Sequence, residues 1–350
     1  MTMIPAFPME SRFLRACARR KVDTVPVWFM RQAGRYLPGY RALRAKHSIL
    51  EIAKTPELAC EATLEPIRKF PLDAAIIFAD ILLPLEAMGL RVRFSPAPEI
   101  DRPIRGPSDL KRLASRPEAD SLFFVGEAIR LVRRELDGKV PLIGFAGAPF
   151  TLASYMIEGG PSRDFLRTKA LMRESPGAWR SLLDRIVRVT LSYLRMQKAS
   201  GAQAIQLFDS WAGALSPEDY RRHILPATKR LFSGLKGLGA PLIYFGSGAS
   251  GFLEDFARAG SDVVGVDWRI DIAEAFRRLP GKAVQGNLDP ALLLAPAPVL
   301  KKAARQILRQ ASGRRGFVFN LGHGILPQTP PDNVRRLAEW VHQYGGGRRK

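Results

Sequence analysis

Short apolar runs rich in β-branched and aromatic residues recur along the chain, separated by longer stretches in which apolar residues return every three or four positions. Eight such runs can be marked, at 25–29, 74–78, 141–145, 204–208, 241–245, 262–266, 283–286 and 316–320. Between them, 56–70, 165–200, 217–237 and 290–310 carry the helical period, and prolines stand near several of their starts, where a missing N–H does no harm. Runs this apolar suit strands buried on both faces, and their alternation with helices predicts an α/β fold, a (β/α)8 TIM barrel closed by eight parallel strands. The pattern predicts a single barrel domain over 1–345 and a disordered basic tail at 346–350. One stretch interrupts it: 90–117 is rich in Pro, Arg and Ser, and Val92 and Phe94 alternate with Arg91 and Arg93, which reads as a small added hairpin.

Composition agrees with a large buried core, since 46% of the 350 residues are apolar. Charge adds a direction: 54 Lys and Arg against 33 Asp and Glu give +21, so the favoured partner is an acidic molecule. Cys17 and Cys60 cannot build a disulfide framework and have no neighbouring Cys or His at zinc-ligand spacing, which predicts a reduced, cytoplasmic protein. No run of about 18 apolar residues exists to span a bilayer. The first 25 residues carry Glu10, Arg12, Arg15, Arg19 and Arg20 rather than the apolar centre of a signal peptide.

In a barrel of this kind the chemistry sits on the loops leaving the carboxyl ends of the strands. After the first run come Arg31, Gln32, Ala33, Gly34 and Arg35, then Arg41 and Arg44, a glycine-containing loop loaded with guanidinium groups that pair with carboxylate or phosphate at any working pH. A solvated basic face is the plainer alternative. Asp80 follows the second run inside the apolar segment 75–84, where a carboxylate must find donors or shift its pKa; it also suits a helix N-cap. Tyr155 and Ser154 follow the third run, Asp209 and Ser210 the fourth, Asp267 and Trp268 the sixth, and Asn287 the seventh. After the eighth stands His323 between two glycines, free to lift its ring from its own backbone.

Gly246-Ser247-Gly248-Ala249-Ser250-Gly251 has the G-x-G-x-x-G spacing of a dinucleotide-binding turn, with Asp267 at the end of the next strand. Its position on the fifth strand argues against that use, because a two-half dinucleotide fold needs more strand-helix units after it.

Several long segments resemble the uroporphyrinogen decarboxylase family. They are Arg31-Gln32-Ala33-Gly34-Arg35-Tyr36-Leu37-Pro38, the run from Phe70 to Leu82 ending in Phe78-Ala79-Asp80-Ile81-Leu82, Gly144 to Tyr155, Gln206 to Gly213, and Asn320-Leu321-Gly322-His323-Gly324. The resemblance covers nearly the whole chain. It implies a (β/α)8 barrel, usually a homodimer, that removes carboxyl groups from the four acetate arms of uroporphyrinogen III without metal or cofactor, giving coproporphyrinogen III and four CO2. It also implies substrate-binding roles for Arg31, Gln32, Ala33, Gly34, Arg35, Asp80, Tyr155, Ser210 and His323, with Arg44 a further carboxylate holder and Asp80 and Arg31 catalytic. Ala79 departs from the family, where serine is common before the aspartate, and this touches only the hydrogen bonding around Asp80.

Two other classes are weighed. A corrinoid or methionine-synthase type methyltransferase would share the barrel but needs zinc held by Cys and His, and both cysteines lie away from the predicted rim. A nucleic-acid binder would exploit pI 10.6 and arginines interleaved with Tyr36 and Tyr40, yet the basic residues are spread along the whole chain, so no specific nucleic-acid partner and no membrane is expected.

Overall fold

The computed structural model describes residues 11–94, 97–114 and 121–346. Strand β1 (Ala75–Ile76) is followed by β2 (Val92–Phe94) and β3 (Pro98–Ile100), then by β4 (Leu142–Gly147), β5 (Ala204–Asp209), β6 (Leu242–Gly246), β7 (Val263–Gly265), β8 (Ala283–Leu288) and β9 (Phe317–Leu321). Strands β2 and β3 pair antiparallel, as the alternation around Val92 and Phe94 predicts. The other seven form one sheet, β1-β4-β5-β6-β7-β8-β9, in which every pairing is parallel and follows chain order. Every residue of β4, β6, β8 and β9 is buried, because helices cover the outer face while side chains fill the inner one.

The sheet is curled. Gln285 Nε2 on β8 donates to Gln206 Oε1 on β5 at 3.1 Å although β6 and β7 lie between those strands, and Trp28 Nε1 donates to Gln285 Oε1 at 2.9 Å. All three side chains are buried, so this polar chain crosses the space that the sheet wraps. A flat sheet would hold β5 and β8 about 14 Å apart at about 4.8 Å per strand, far beyond hydrogen-bonding reach for two glutamines extending from one face.

The predicted first strand is where sequence and structure part. The segment 25–29 supplies one parallel bridge, Val27 to Phe319, rather than a ladder strand. Its backbone bonds go largely to side chains: Val27 N–H donates to Asp73 Oδ2, Phe29 N–H to Gln32 Oε1 and Met30 N–H to Asn320 Oδ1. Pro26 has no N–H to offer. The segment still stands between the sheet's two edges, since Trp28 N–H and Phe319 N–H exchange bonds with Phe319 and Pro26, while Asp73 N–H donates to the Val27 carbonyl. The second run shortens for a related reason, because Phe78 N–H turns to Thr63 Oγ1.

Prolines and caps also cut the predicted helices. The stretch 165–200 divides into Leu166–Glu174 and Pro176–Ala199, because Pro176 cannot donate to the preceding turn. The stretch 217–237 contains a π-turn at Tyr220–Ile224, and 290–310 splits into a 3₁₀ turn Pro290–Leu294 and the helix Ala297–Ala311. The last helix, Pro331–Gly345, packs back on the sheet's seam: His342 Nε2 and Asp73 Oδ2 are 2.7 Å apart, and Arg12 Nη1 donates to Asp73 Oδ1 at 2.8 Å. Of the predicted tail, 347–350 lies outside the described residues, as do 95–96 and 115–117 of the inserted stretch. No described helix is long and apolar enough to cross a membrane.

Candidate active site

The arginine loop is built to hold its charges outward. Gln32 is fully buried; its Oε1 accepts from Phe29 N–H and its Nε2 donates to the Ala74 carbonyl at 3.1 Å, fastening the loop to β1. Tyr36 Oη donates to the Gln32 carbonyl, and Arg41 Nη1 donates to the carbonyls of Arg35 and Tyr36. Arg31 and Arg35 are exposed at the loop surface, and Arg31 adopts a left-handed backbone, φ 59°. One donor and one lone pair of the Gln32 amide are thus used within the protein, so this side chain anchors the loop that presents the arginines. Arg44 donates to the carbonyl of His47, closing the end of the helix Pro38–Lys46, so part of its hydrogen-bonding capacity serves as a cap.

Asp80 leaves the end of β1 half-buried, and its Oδ1 accepts from Leu82 N–H at 2.8 Å, the local cap that its sequence position predicts. Burial pushes its carboxyl above the ordinary carboxylate value, opposed by the Leu82 hydrogen bond and by the positive charge of Arg31. Tyr155, one turn from the end of the helix Pro149–Glu158, has its hydroxyl pushed up to about 12 by burial and then by the Asp80 charge, with Arg31 opposing. His323 is pulled down to about 4, first by burial and then by Arg31, so its ring is neutral near pH 7. Arg31 thus acts electrostatically on Asp80, Tyr155 and His323 together, although the four residues come from segments far apart in the chain.

Ser210 enters through its neighbour, for the Trp211 ring lies 4.0 Å from the Tyr155 ring, and Phe165 closes the other side at 4.9 Å. Arg35 and Arg44 lie further round, both acting on the Tyr40 hydroxyl. Ala33 and Gly34 are half-buried and form the turn itself, since Leu37 N–H donates to the Gly34 carbonyl.

Some residues near this rim carry no role in the sequence reading. Tyr193, on the helix Pro176–Ala199, is buried within electrostatic range of Asp80. Its helical spacing looks like core, and only the fold brings it within the field of the aspartate. The Gly246–Gly251 motif serves the protein internally: Asp267, 2% exposed, accepts from Gly248 N–H at 2.6 Å and from Arg269 Nη1 at 2.5 Å. A carboxylate thus occupies a donor that a pyrophosphate would need. Cys17 and Cys60 are both buried, with thiols pushed up by burial, and no group of three His, Cys, Asp or Glu among the described residues is placed to hold a metal.

A curled, sequentially ordered parallel sheet with arginine, aspartate, tyrosine and histidine converging beyond its carboxyl edge defines a barrel-like α/β enzyme. The architecture is shared with a methyltransferase from Methanosarcina mazei, with TM-score 0.77, covering 97% of this chain and 99% of that one at 21% identity, a likeness of fold alone. A family model described as Uroporphyrinogen decarboxylase (URO-D) matches residues 9–344. Proteins named Uroporphyrinogen decarboxylase from Roseiflexus sp. (strain RS-1) and Solibacter usitatus (strain Ellin6076) are each 52% identical to it, over 96% of this chain and 99% and 98% of theirs. The chain belongs to the uroporphyrinogen decarboxylase family.

Proposed function

We propose that this protein is a carboxy-lyase that converts the four acetate arms of uroporphyrinogen III to methyl groups, giving coproporphyrinogen III and four CO2. The observation that carries the reading is the cluster of Arg31, Asp80, Tyr155 and His323, in which a carboxylate lies within the field of an arginine at the mouth of the barrel. The substrate bears eight carboxylates, and a chain of +21 with an outward arginine loop supplies the complementary field.

The pyrrole ring supplies the electron sink. Protonation of the ring carbon adjacent to the one that bears the acetate arm gives an iminium-like cation; the C–C bond to the carboxylate breaks, its electron pair forms an exocyclic double bond to the ring and neutralises the cation, CO2 leaves, a second proton reaches the new methylene carbon, and loss of the first proton from the ring carbon restores the pyrrole. Each arm thus exchanges CO2 for one net proton, and no metal, flavin or pyridoxal group is required by the balance. Asp80, ionised, accepts hydrogen bonds from pyrrole N–H groups and stabilises the cationic ring, a preorganised interaction on the order of 3–4 kcal/mol. Arg31 and Arg35 hold carboxylate arms, and Tyr155, Ser210 and His323 orient them. Gln32, Ala33 and Gly34 contribute by fixing the loop that presents the two arginines.

The same reading places the segment 25–29 as the eighth stave of a closed barrel, and the working unit as a cytoplasmic homodimer, which sedimentation at micromolar concentration tests. The activity is tested by anaerobic incubation of chelator-treated protein with uroporphyrinogen III, followed by chromatography of the oxidised porphyrins. Four-carboxyl product formed without added metal is the expected result; no product from folded protein overturns the reading.

A further inference from the structure

Asp209 ends β5 immediately before Ser210, is wholly buried, and has no place in the chemistry above. Its Oδ1 accepts from Thr151 Oγ1 at 2.7 Å and its Oδ2 from the Tyr244 hydroxyl at 2.8 Å, and Tyr244 in turn meets the Tyr220 hydroxyl at 2.9 Å. Burying a carboxylate this deep is costly unless it is held by donors, and here the two direct donors come from different elements, the helix after β4 and strand β6. Thr151 also accepts from Trp211 N–H at 3.4 Å, and the Trp211 ring packs against Tyr155 at a tilt of 32°. Thr151 and Tyr155 are four residues apart on one helix, so they share a face one turn apart. Ala148 N–H, just before that helix, donates to the Phe208 carbonyl on the strand that Asp209 ends.

We propose that Asp209 is a positioning residue: through Thr151 it fixes the turn of helix that carries Tyr155, and through its own backbone it fixes Ser210, so that two arm-orienting groups from different loops keep one spacing. The inference rests on the decarboxylase reading for its kinetic consequence. It rests on the Asp209–Thr151–Trp211–Tyr155 geometry alone for its structural one.

Thr151→Val removes the hydroxyl at nearly constant volume, and Thr151→Ser restores it. The expected outcome is that Thr151→Val and Asp209→Asn lower kcat by about tenfold or more with KM changed less than about threefold, and release seven- to five-carboxyl intermediates, as misplacement of orienting groups predicts. Thr151→Ser should regain most of the rate. A second readout needs no turnover: the Trp211 fluorescence, isolated as the difference between each protein and its Trp211→Phe counterpart, shifts in Thr151→Val and returns in Thr151→Ser. Wild-type kcat and an unchanged Trp211 signal in folded Thr151→Val would overturn the proposal, as would a fall in denaturation midpoint with no kinetic effect. If the unaltered protein converts no uroporphyrinogen, the decarboxylase reading fails, and the Trp211 signal still decides the positioning claim.

Discussion

Arg31 lies so closely against the backbone of Gly324 that a β-carbon on that glycine would overlap Arg31 Cδ and stand 2.6 Å from Arg31 Cγ. The loop that carries the charge and the turn that carries His323 are therefore packed as one object, joined also by Ile325 N–H donating to the Met30 carbonyl. Gly324→Ala is expected to push Arg31 aside without unfolding the chain. Steady-state kinetics should show KM for uroporphyrinogen raised at least about tenfold, comparable to Arg31→Ala, because a charge-assisted carboxylate contact contributes about 1.5–3 kcal/mol.

Asp80→Asn keeps the shape and the cap to Leu82 N–H but removes the anion. A fall in kcat on the order of 10²–10³ is expected, with circular dichroism and denaturation midpoint near those of the parent. Folded Asp80→Asn that turns over normally would sink the electrostatic role.

His323 makes the fold acid-sensitive in a defined window. Its folded value near 4 lies below its unfolded value of 6.5, so between those limits the unfolded chain binds the extra proton. Its contribution is present above pH 6.5 and is lost as pH falls towards 4, reaching about 2 kcal/mol at pH 5. His323→Gln should remove that share of the acid destabilisation measured by urea titration at pH 8 and pH 5. The pH profile of KM should show no inflection near 6.5, because the ring stays neutral there.

Asp73 fastens the seam by accepting from Arg12, Val27 N–H and His342 at once. Asp73→Ala leaves a buried backbone donor without its partner, and a loss of about 2–4 kcal/mol is expected from urea unfolding. Hydrogen exchange should show the amide of Val27 exposed first.

Calorimetry with NADH and NADPH should give no heat of binding, because the Asp267 carboxylate sits on Gly248 N–H. Asp267→Asn weakens that contact without creating the anion site that a dinucleotide needs.

Most of the fold is legible in the chain because seven of the eight apolar runs became strands whose backbone bonds go to neighbouring strands. The run at 25–29 reads the same way by residue type, yet Asp73, Gln32 and Asn320 take the donors of Val27, Phe29 and Met30. Nothing local distinguishes a ladder N–H from one that a side chain some 290 positions away will claim. The site splits along the same line. Arg31, Asp80 and His323 stand out because arginine beside glycine, aspartate in an apolar run and histidine between glycines are each odd where they stand. Tyr193 and Tyr244 do not, since a tyrosine on a buried helix face or strand looks like packing until the fold brings it into the field of Asp80, as for Tyr193, or sets its hydroxyl on Asp209, as for Tyr244. Gln32 shows a second aspect of the same limit, since its local sequence gives no sign that its amide ties the loop to Phe29 and to the Ala74 carbonyl.

The hydrogen bond from Met30 N–H to Asn320 Oδ1 joins residues 290 apart in the chain. On a ribosome adding about 5–20 residues each second, the arginine loop emerges roughly 15–60 s before the residue that seats it. For that interval the nascent chain carries its guanidinium groups on a loop held only through Gln32 and its near neighbours, and a product truncated before β9 has six parallel strands and lacks both Asn320 and the Gly324 turn against which Arg31 packs. The candidate site is thus completed only after β9 has been made, late in synthesis, and its assembly reports that the sheet's last strand is in place.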